Sequence, residues 1–392
     1  MHDLETLPQA LKLQTKDARI VIGVPKETIN QEKRVALTPD DVASICSENF
    51  NVLIEHNAGV NANFSDYQYS EAGALLVTQK ELFEKSSIIV KIAPLTYEEI
   101  DLIKPESIVF SSLNLNTQSL DRITSLQEKK ITGLAYEYFI DEKGFNPFTH
   151  VIGQIVGSSA VMIAAELLSN NNGGRGIMLG GLTGLPPAEI VVLGTDISAE
   201  YAVRVAFSLG ANVRVFDYSI SNLIHFQNLF GRNLYTSTLN YANLTDAVTR
   251  ANVIINTIEH KQGKKFIITQ DLVLAMKDLS VIVDLKIDSG SVIETSSITT
   301  LENPIYVKHG VIHYCVPNIA SRVAQTSSLA ISNLLTSILL KILQQGSIIP
   351  LIQYERDLRN ATYLFKGLLT NSVVANNLNL QYTDLNLIIH IF

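Results

Sequence analysis

Cysteine is nearly absent from this chain. It has two in 392 residues, Cys46 and Cys315. Two cysteines so far apart cannot form a disulfide framework, and neither sits in a metal-type spacing, so no metal site is expected. They fit a reducing compartment. Runs of basic residues are also missing, and the net charge is -8. That argues against a nucleic-acid surface. No apolar run reaches membrane-spanning length; "SLAISNLLTSILLKIL" is broken by Ser, Asn and Thr at helical spacing and reads as a buried helix. The opening "MHDLETLPQALKLQTKDARI" has no apolar core of the secretory kind. A cytoplasmic protein with no membrane partner is expected. What remains is ordinary for a soluble globular enzyme, with 46% hydrophobic and 17% charged residues. The length suffices for two or three domains with cores of their own.

Strand and helix patterns alternate along the chain, which predicts an α/β fold with parallel sheets. Apolar strands are expected in "ARIVIGV", "FNVLIEH", "SSIIVKIA", "ESIVFSS" and "ITGLAYEYF". Thr38 and Pro39 read as the N-cap and first residue of a helix. A second α/β unit begins near residue 150 with the long helix "GQIVGSSAVMIAAELLSNN", whose early residues are small. Strands follow in "EIVVLG", "ANVRVFD", "NVIINTI", "LSVIVDLKID" and "VKHGVIHYCVPN". A helix from about Gln325 to Leu343 leads into a Leu-rich tail with no sheet pattern. The expected division is a catalytic domain over 1–149, a dinucleotide-binding domain over 150–325, and a return of 326–392 to the first.

The stretch "EIVVLGTDISAEYAVRVAFSLGANVRVFD" has the strand, turn, helix and strand of a nucleotide site. In such a turn one Gly permits the bend, a second admits the pyrophosphate, and a third lets helix and strand pack. Here Gly194 and the small Ala199 stand in the first and third places, but Asp196 occupies the second. A carboxylate about 4 Å from a phosphate repels it by about 4 kcal/mol at an effective dielectric near 20. Asp196 is expected to cap the helix instead and to turn its carboxylate away. Asp217, ending the second strand, is placed to accept the ribose hydroxyls of NAD and to repel the 2′-phosphate of NADP.

Longer motifs point to a family. "IGVPKETINQEKRVALTPDDV" (22–42), "GGRGIMLGGLTGLPPAEIVVLG" (173–194), "VIVDLKIDSGSVIETSSITT" (281–300) and "GVIHYCVPNIASRVAQTSSLAISN" (310–333) resemble alanine dehydrogenase and the related alpha subunit of nicotinamide nucleotide transhydrogenase. The resemblance implies two Rossmann-like domains, the NAD domain inserted into the catalytic one, and a homo-oligomer, usually a hexamer. It implies reversible, NAD-dependent oxidative deamination of L-alanine to pyruvate and ammonia. It makes Arg34 and Lys91 the groups that grip the substrate carboxylate, with Glu137 nearby. A planar guanidinium suits that task, because it can give two parallel hydrogen bonds. It makes Asp288 a catalytic carboxylate beside the nicotinamide and the substrate amino group. Gly194, Ile197, Asp217, Thr238, Thr257, Ile258, Asp288, Val316 and Asn318 are the implied cofactor contacts.

The pattern also departs from the family. Where the family places its acid/base histidine, this chain has Asn114, and the neighbouring tyrosine becomes Ser112. After Asp288 the chain reads Ser289, Gly290, Ser291 and Val292, where the family often has Q-G-G-C. An amide cannot trade protons near neutral pH. Two readings stay open: a working dehydrogenase in which Asp288 and a water do the proton work, or a catalytically impaired paralogue kept as a binding or assembly protein.

Overall fold

The structure, a computed structural model, describes residues 20–390 apart from 30, 232–233 and 260–265. The opening segment through residue 19, with its missing secretory core, lies outside the described residues.

Two sheets organise the chain. The first is built from β1 (Val21–Val24), β2 (Asn51–Glu55), β3 (Leu75–Val77), β4 (Ile88–Val90), β5 (Ile108–Ser111) and β6 (Thr132–Ala135). The second holds β7 (Glu189–Leu193), β8 (Asn212–Asp217), β9 (Tyr235–Thr238), β10 (Val253–Asn256), β11 (Val281–Asp284), β12 (Ile305–Lys308) and β13 (Val311–Tyr314). The chain then returns to the first sheet as β14 (Thr362–Phe365) and β15 (Leu368–Leu369). The strand orders are β15-β14-β6-β5-β4-β1-β2-β3 and β12-β13-β11-β10-β7-β8-β9. Pairing is parallel except at the edges formed by β12, β14 and β15. Strands such as β4, β10 and β11 are buried on both faces, as helices covering each side of a parallel sheet require.

Two expectations need correction. The tail is not free of sheet structure. β14 is four residues long and wholly buried, so it shows no alternation by which it could be read. "VKHGVIHYCVPN" is a hairpin rather than one strand. Lys308 pairs with Val311 across His309 and Gly310, both at positive φ (53° and 77°), which is the two-residue turn that suits twisted antiparallel strands.

Four helices matter for the site: α1 (Pro39–Ser47), α2 (Pro147–Leu167), α3 (Ile197–Ser208) and α4 (Ala324–Gln345). Thr38 stands at the N-cap of α1, but its side chain does not cap. Its hydroxyl donates to Asp41 Oδ2 at 3.0 Å, and its N–H donates to Ser332 Oγ of α4 at 2.9 Å. α2 and the α4 segment are long and apolar enough to cross a membrane by length and composition, contrary to the reading that no segment reaches that length. In this fold both are core helices. Ala160, Val161, Ile163 and Ala164 of α2 pack in the second sheet's core, and Ile331, Leu335, Leu339 and Ile342 of α4 in the first.

The small residues early in α2 have a physical task. A Cβ added at Gly153 would lie 1.9 Å from Ile197 Cγ2, and one at Gly157 would lie 2.1 Å from the Ser198 carbonyl oxygen. Only glycines let α2 cross α3 this closely, and the crossing fixes where the 194–198 turn sits. Gly157→Ala is expected to destabilise the protein by about 1–3 kcal/mol, since backbone rather than a flexible side chain must move. Chemical denaturation of both proteins checks this; an unchanged midpoint would show that the crossing has slack.

Candidate active site

A parallel sheet whose strand order reverses leaves a crevice at the carboxyl ends of the strands on either side of the reversal. Both sheets have one: between β1 and β4 in the first, and between β7 and β10 in the second. Residues leaving the carboxyl ends of strands in both sheets line a cleft of about 490 Å³. The first domain lines it with Arg34, Ile92, Ser112, Tyr136 and Glu137. The turn of α3 contributes Asp196, Ile197 and Ser198, the loop after β11 contributes Leu285 and Lys286, and the segment after β13 contributes Pro317 and Asn318.

Arg34 stands at the floor, nearly enclosed. Its Nε donates to Glu32 Oε1 at 2.7 Å and one Nη to Glu32 Oε2 at 2.6 Å. Glu32 also accepts from Asn318 Nδ2 at 2.8 Å, so one carboxylate joins the arginine to the segment that leaves β13. Arg34 holds the Glu32 carboxyl below its usual range despite burial, which acts against that shift. With one edge of the guanidinium held by Glu32, the remaining Nη hydrogens are left to bind a second carboxylate.

Lys91 is fully buried and is not among the residues lining the cleft. Its Nζ lies 2.7 and 2.9 Å from the Glu99 carboxylate and 3.6 Å from Glu27 Oε2. The expectation of an inward-facing charge needing an anion is met, but by two protein carboxylates that were not anticipated. Glu99 was legible as the third residue of a capping box with Thr96. Glu27 follows β1 at the strand reversal and accepts from the N–H of Ile92 at 2.5 Å.

Burial pushes the Glu27 carboxyl up to about 7, against the opposing pull of Lys91. The folded protein therefore holds this proton more tightly than the unfolded chain. Between about 4.5 and about 7 the native state binds more protons, and Glu27's contribution to stability falls as pH rises through that window. Glu27→Gln carries no such slope. Relative to the wild type, the variant's unfolding free energy should improve from the bottom of the window to the top. A constant difference would show that Glu27 titrates as an ordinary glutamate.

Glu137 has a holding role. Its carboxylate accepts from Ser112 Oγ (2.6 Å), from the N–H of Leu113 (2.9 and 3.0 Å) and from the N–H of Asn114 (2.9 Å). It fixes the loop after β5, in which Asn114 is exposed and takes φ +45°.

On the nucleotide side, Gly194 has φ +105°, and a Cβ there would lie 2.2 Å from Thr257 Oγ1 and 3.1 Å from Ile258 Cγ1. Gly194, Thr257 and Ile258 are therefore one close-packed crest, which no other residue at 194 would permit. These groups fit a bound dinucleotide: backbone bare of a side chain, at a helix start, beside an acidic strand end. Asp217 at the end of β8 is oriented by Thr195 Oγ1 (2.6 Å) and the Ser219 N–H (2.8 Å). Thr238 sits beside it in register on β9, exposed. Val316 is enclosed in the second sheet's core, and it is Pro317 and Asn318 that reach the cleft.

Asp196 does cap α3, accepting from the Ala199 N–H at 2.9 Å. It does not turn away as expected. It lines the cleft, and its second oxygen lies 3.6 Å from Lys286 Nζ, whose charge draws it there. Asp288 lies four residues past β11, outside the cleft lining and exposed on its solvent side. Crowding on its protein side raises its carboxyl modestly above the usual range. Asp284, unremarked in the sequence, is fully buried at the end of β11. It accepts from Asn256 Nδ2 (2.9 Å), from Ser291 Oγ and from the Lys286 N–H (3.1 Å), and so anchors the loop carrying Lys286 and Asp288.

The kinships agree with this geometry. Residues 23–149 match the N-terminal domain, and residues 160–372 the C-terminal domain, of the alanine dehydrogenase/PNT family. An alanine dehydrogenase of Methanococcus maripaludis is 35% identical over 93% of this chain and 98% of its own length. One from Staphylococcus epidermidis is 33% identical over 93% and 98%. A solved L-alanine dehydrogenase superposes with a TM-score of 0.84 at 30% identity, covering 91% of this chain and 99% of the other. With both of its domains matched in order along one chain, the protein belongs to the alanine dehydrogenase/PNT family.

Proposed function

We propose that this chain is an NAD-dependent alanine dehydrogenase that interconverts L-alanine with pyruvate and ammonia. One observation carries the reading: a single cleft is lined by Arg34, held ready by Glu32, and by the start of α3 at the dinucleotide turn. The free edge of Arg34 grips the substrate carboxylate, with the buried Lys91 adding positive charge. NAD, held at the Gly194 turn, would supply the acceptor for the hydride of the substrate Cα. Glu137 holds the Asn114 loop so that the amide can donate to the substrate carbonyl of pyruvate, without exchanging a proton. Asp288, through a water, takes up the proton released when water adds to the iminium carbon. Gly194, Ile197, Asp217, Thr238, Thr257, Ile258 and Asn318 form the cofactor side. The same reading makes the protein a cytoplasmic homo-oligomer, a hexamer in the family arrangement, engaged in alanine catabolism.

Asn114 favours a second reading, the impaired paralogue that binds its ligands but turns over little. Pyruvate- and ammonium-dependent consumption of NADH by the purified chain separates the two. Turnover that is lost in Arg34→Ala supports the enzyme. NADH binding without turnover supports the paralogue.

A further inference from the structure

Asp196 presents a problem that the rest of the cleft does not solve. One of its oxygens is committed to capping α3, at 2.9 Å from the Ala199 N–H. The other is not, and Asp196 lines the cleft, where a dinucleotide would bring the two negative charges of its diphosphate. Helix capping explains the first oxygen only.

Lys286 meets the second. Its Nζ stands 3.6 Å from Asp196 Oδ2 and 3.3 Å from Glu259 Oε1. Its backbone is fixed, because its N–H donates to the buried Asp284 at 3.1 Å. Its side chain is only 26% exposed, and it lines the same cleft as Asp196. The two come from different strands, β7 and β11, with β10 between them. We propose that Lys286 is the charge-compensating partner of Asp196 in the nucleotide cleft, and that this pair sets the affinity for the diphosphate of the dinucleotide. The assignment rests on the dehydrogenase reading. It adds a specificity-determining lysine that neither Gly194 nor the start of α3 supplies. An ammonium has three donor directions. One is given to Glu259 at 3.3 Å, Asp196 stands at ion-pair distance, and a further donor can reach a phosphate oxygen.

The test is NADH binding, titrated by fluorescence on the full-length chain, in a cycle of Asp196→Asn, Lys286→Ala and the double variant. Asparagine caps a helix as well as aspartate does, so Asp196→Asn removes charge and keeps the fold. With Asp196 in place, Lys286→Ala should weaken NADH by about tenfold or more, because an unpaired carboxylate then faces the diphosphate. On top of Asp196→Asn, the same lysine change should cost about threefold or less, only the direct donor being lost. Lys286→Arg should stay near the wild type. Equal losses with and without the Asp196 carboxylate would overturn the compensation, and so would no loss in either case. A wild-type chain that binds no NADH would overturn the dehydrogenase reading itself. A wild-type chain that binds, beside an unaffected Lys286→Ala, overturns this assignment alone.

Discussion

Asn114→His should raise kcat for pyruvate reduction about 10²-fold or more, within the ~10²–10⁴ that general acid–base catalysis contributes. Asparagine donates and accepts hydrogen bonds but releases no proton near neutral pH, whereas histidine titrates there. The backbone is already suitable. Residue 114 sits at φ +45°, where histidine is among the few side chains found with some frequency, and Glu137 holds the loop through N–H groups at 113 and 114 that any residue keeps. Its exposed side chain leaves an imidazole room. The gain should lie in kcat with little change in KM for pyruvate, since Arg34 and Lys91 are untouched. A new limb should appear in the pH–rate profile near neutrality. A variant no faster than the wild type would mean that proton transfer at 114 does not limit the rate, leaving Asp288 to carry it.

The α/β architecture was legible because buried parallel strands are short apolar runs separated by helical patterns, and residues 21–24, 88–90, 190–193 and 281–283 are such runs. β14 was not, since "TYLF" has neither alternation nor length. Arg34, Glu137 and Asn318 were found through motif resemblance and do meet in one cleft. Two charge clusters were hidden for one physical reason: groups that meet only once the strands assemble leave no local spacing. Glu27, Lys91 and Glu99 come from three separate segments, and so do Asp196, Lys286 and Glu259. Asp196 was visible as an anomaly, but the lysine that answers it lies 90 residues on, reached only once β7 and β11 stand in one sheet.

Lys91→Met should lower stability by about 3–5 kcal/mol, the range for breaking a buried ion pair from one side. Lys91 and Glu99 are both fully enclosed, and without the ammonium the Glu99 carboxylate keeps the single hydrogen bond from the Thr96 N–H. The methionine nearly conserves volume, so the loss is electrostatic and not a cavity. Adding Glu99→Gln should recover most of it, because glutamine serves the capping box with Thr96 as well and brings no charge. Denaturant unfolding of the wild type, the single and the double variant measures this directly. A Lys91→Met protein as stable as the wild type would show that the enclosed Glu99 carboxylate does not depend on the ammonium. Activity then separates packing from chemistry. If Lys91 draws the substrate carboxylate toward Arg34, the double variant regains its fold but not its turnover, and its KM for pyruvate stays high. Recovery of stability and turnover together would reduce Lys91 to a structural counter-ion and leave Arg34 as the sole carboxylate grip.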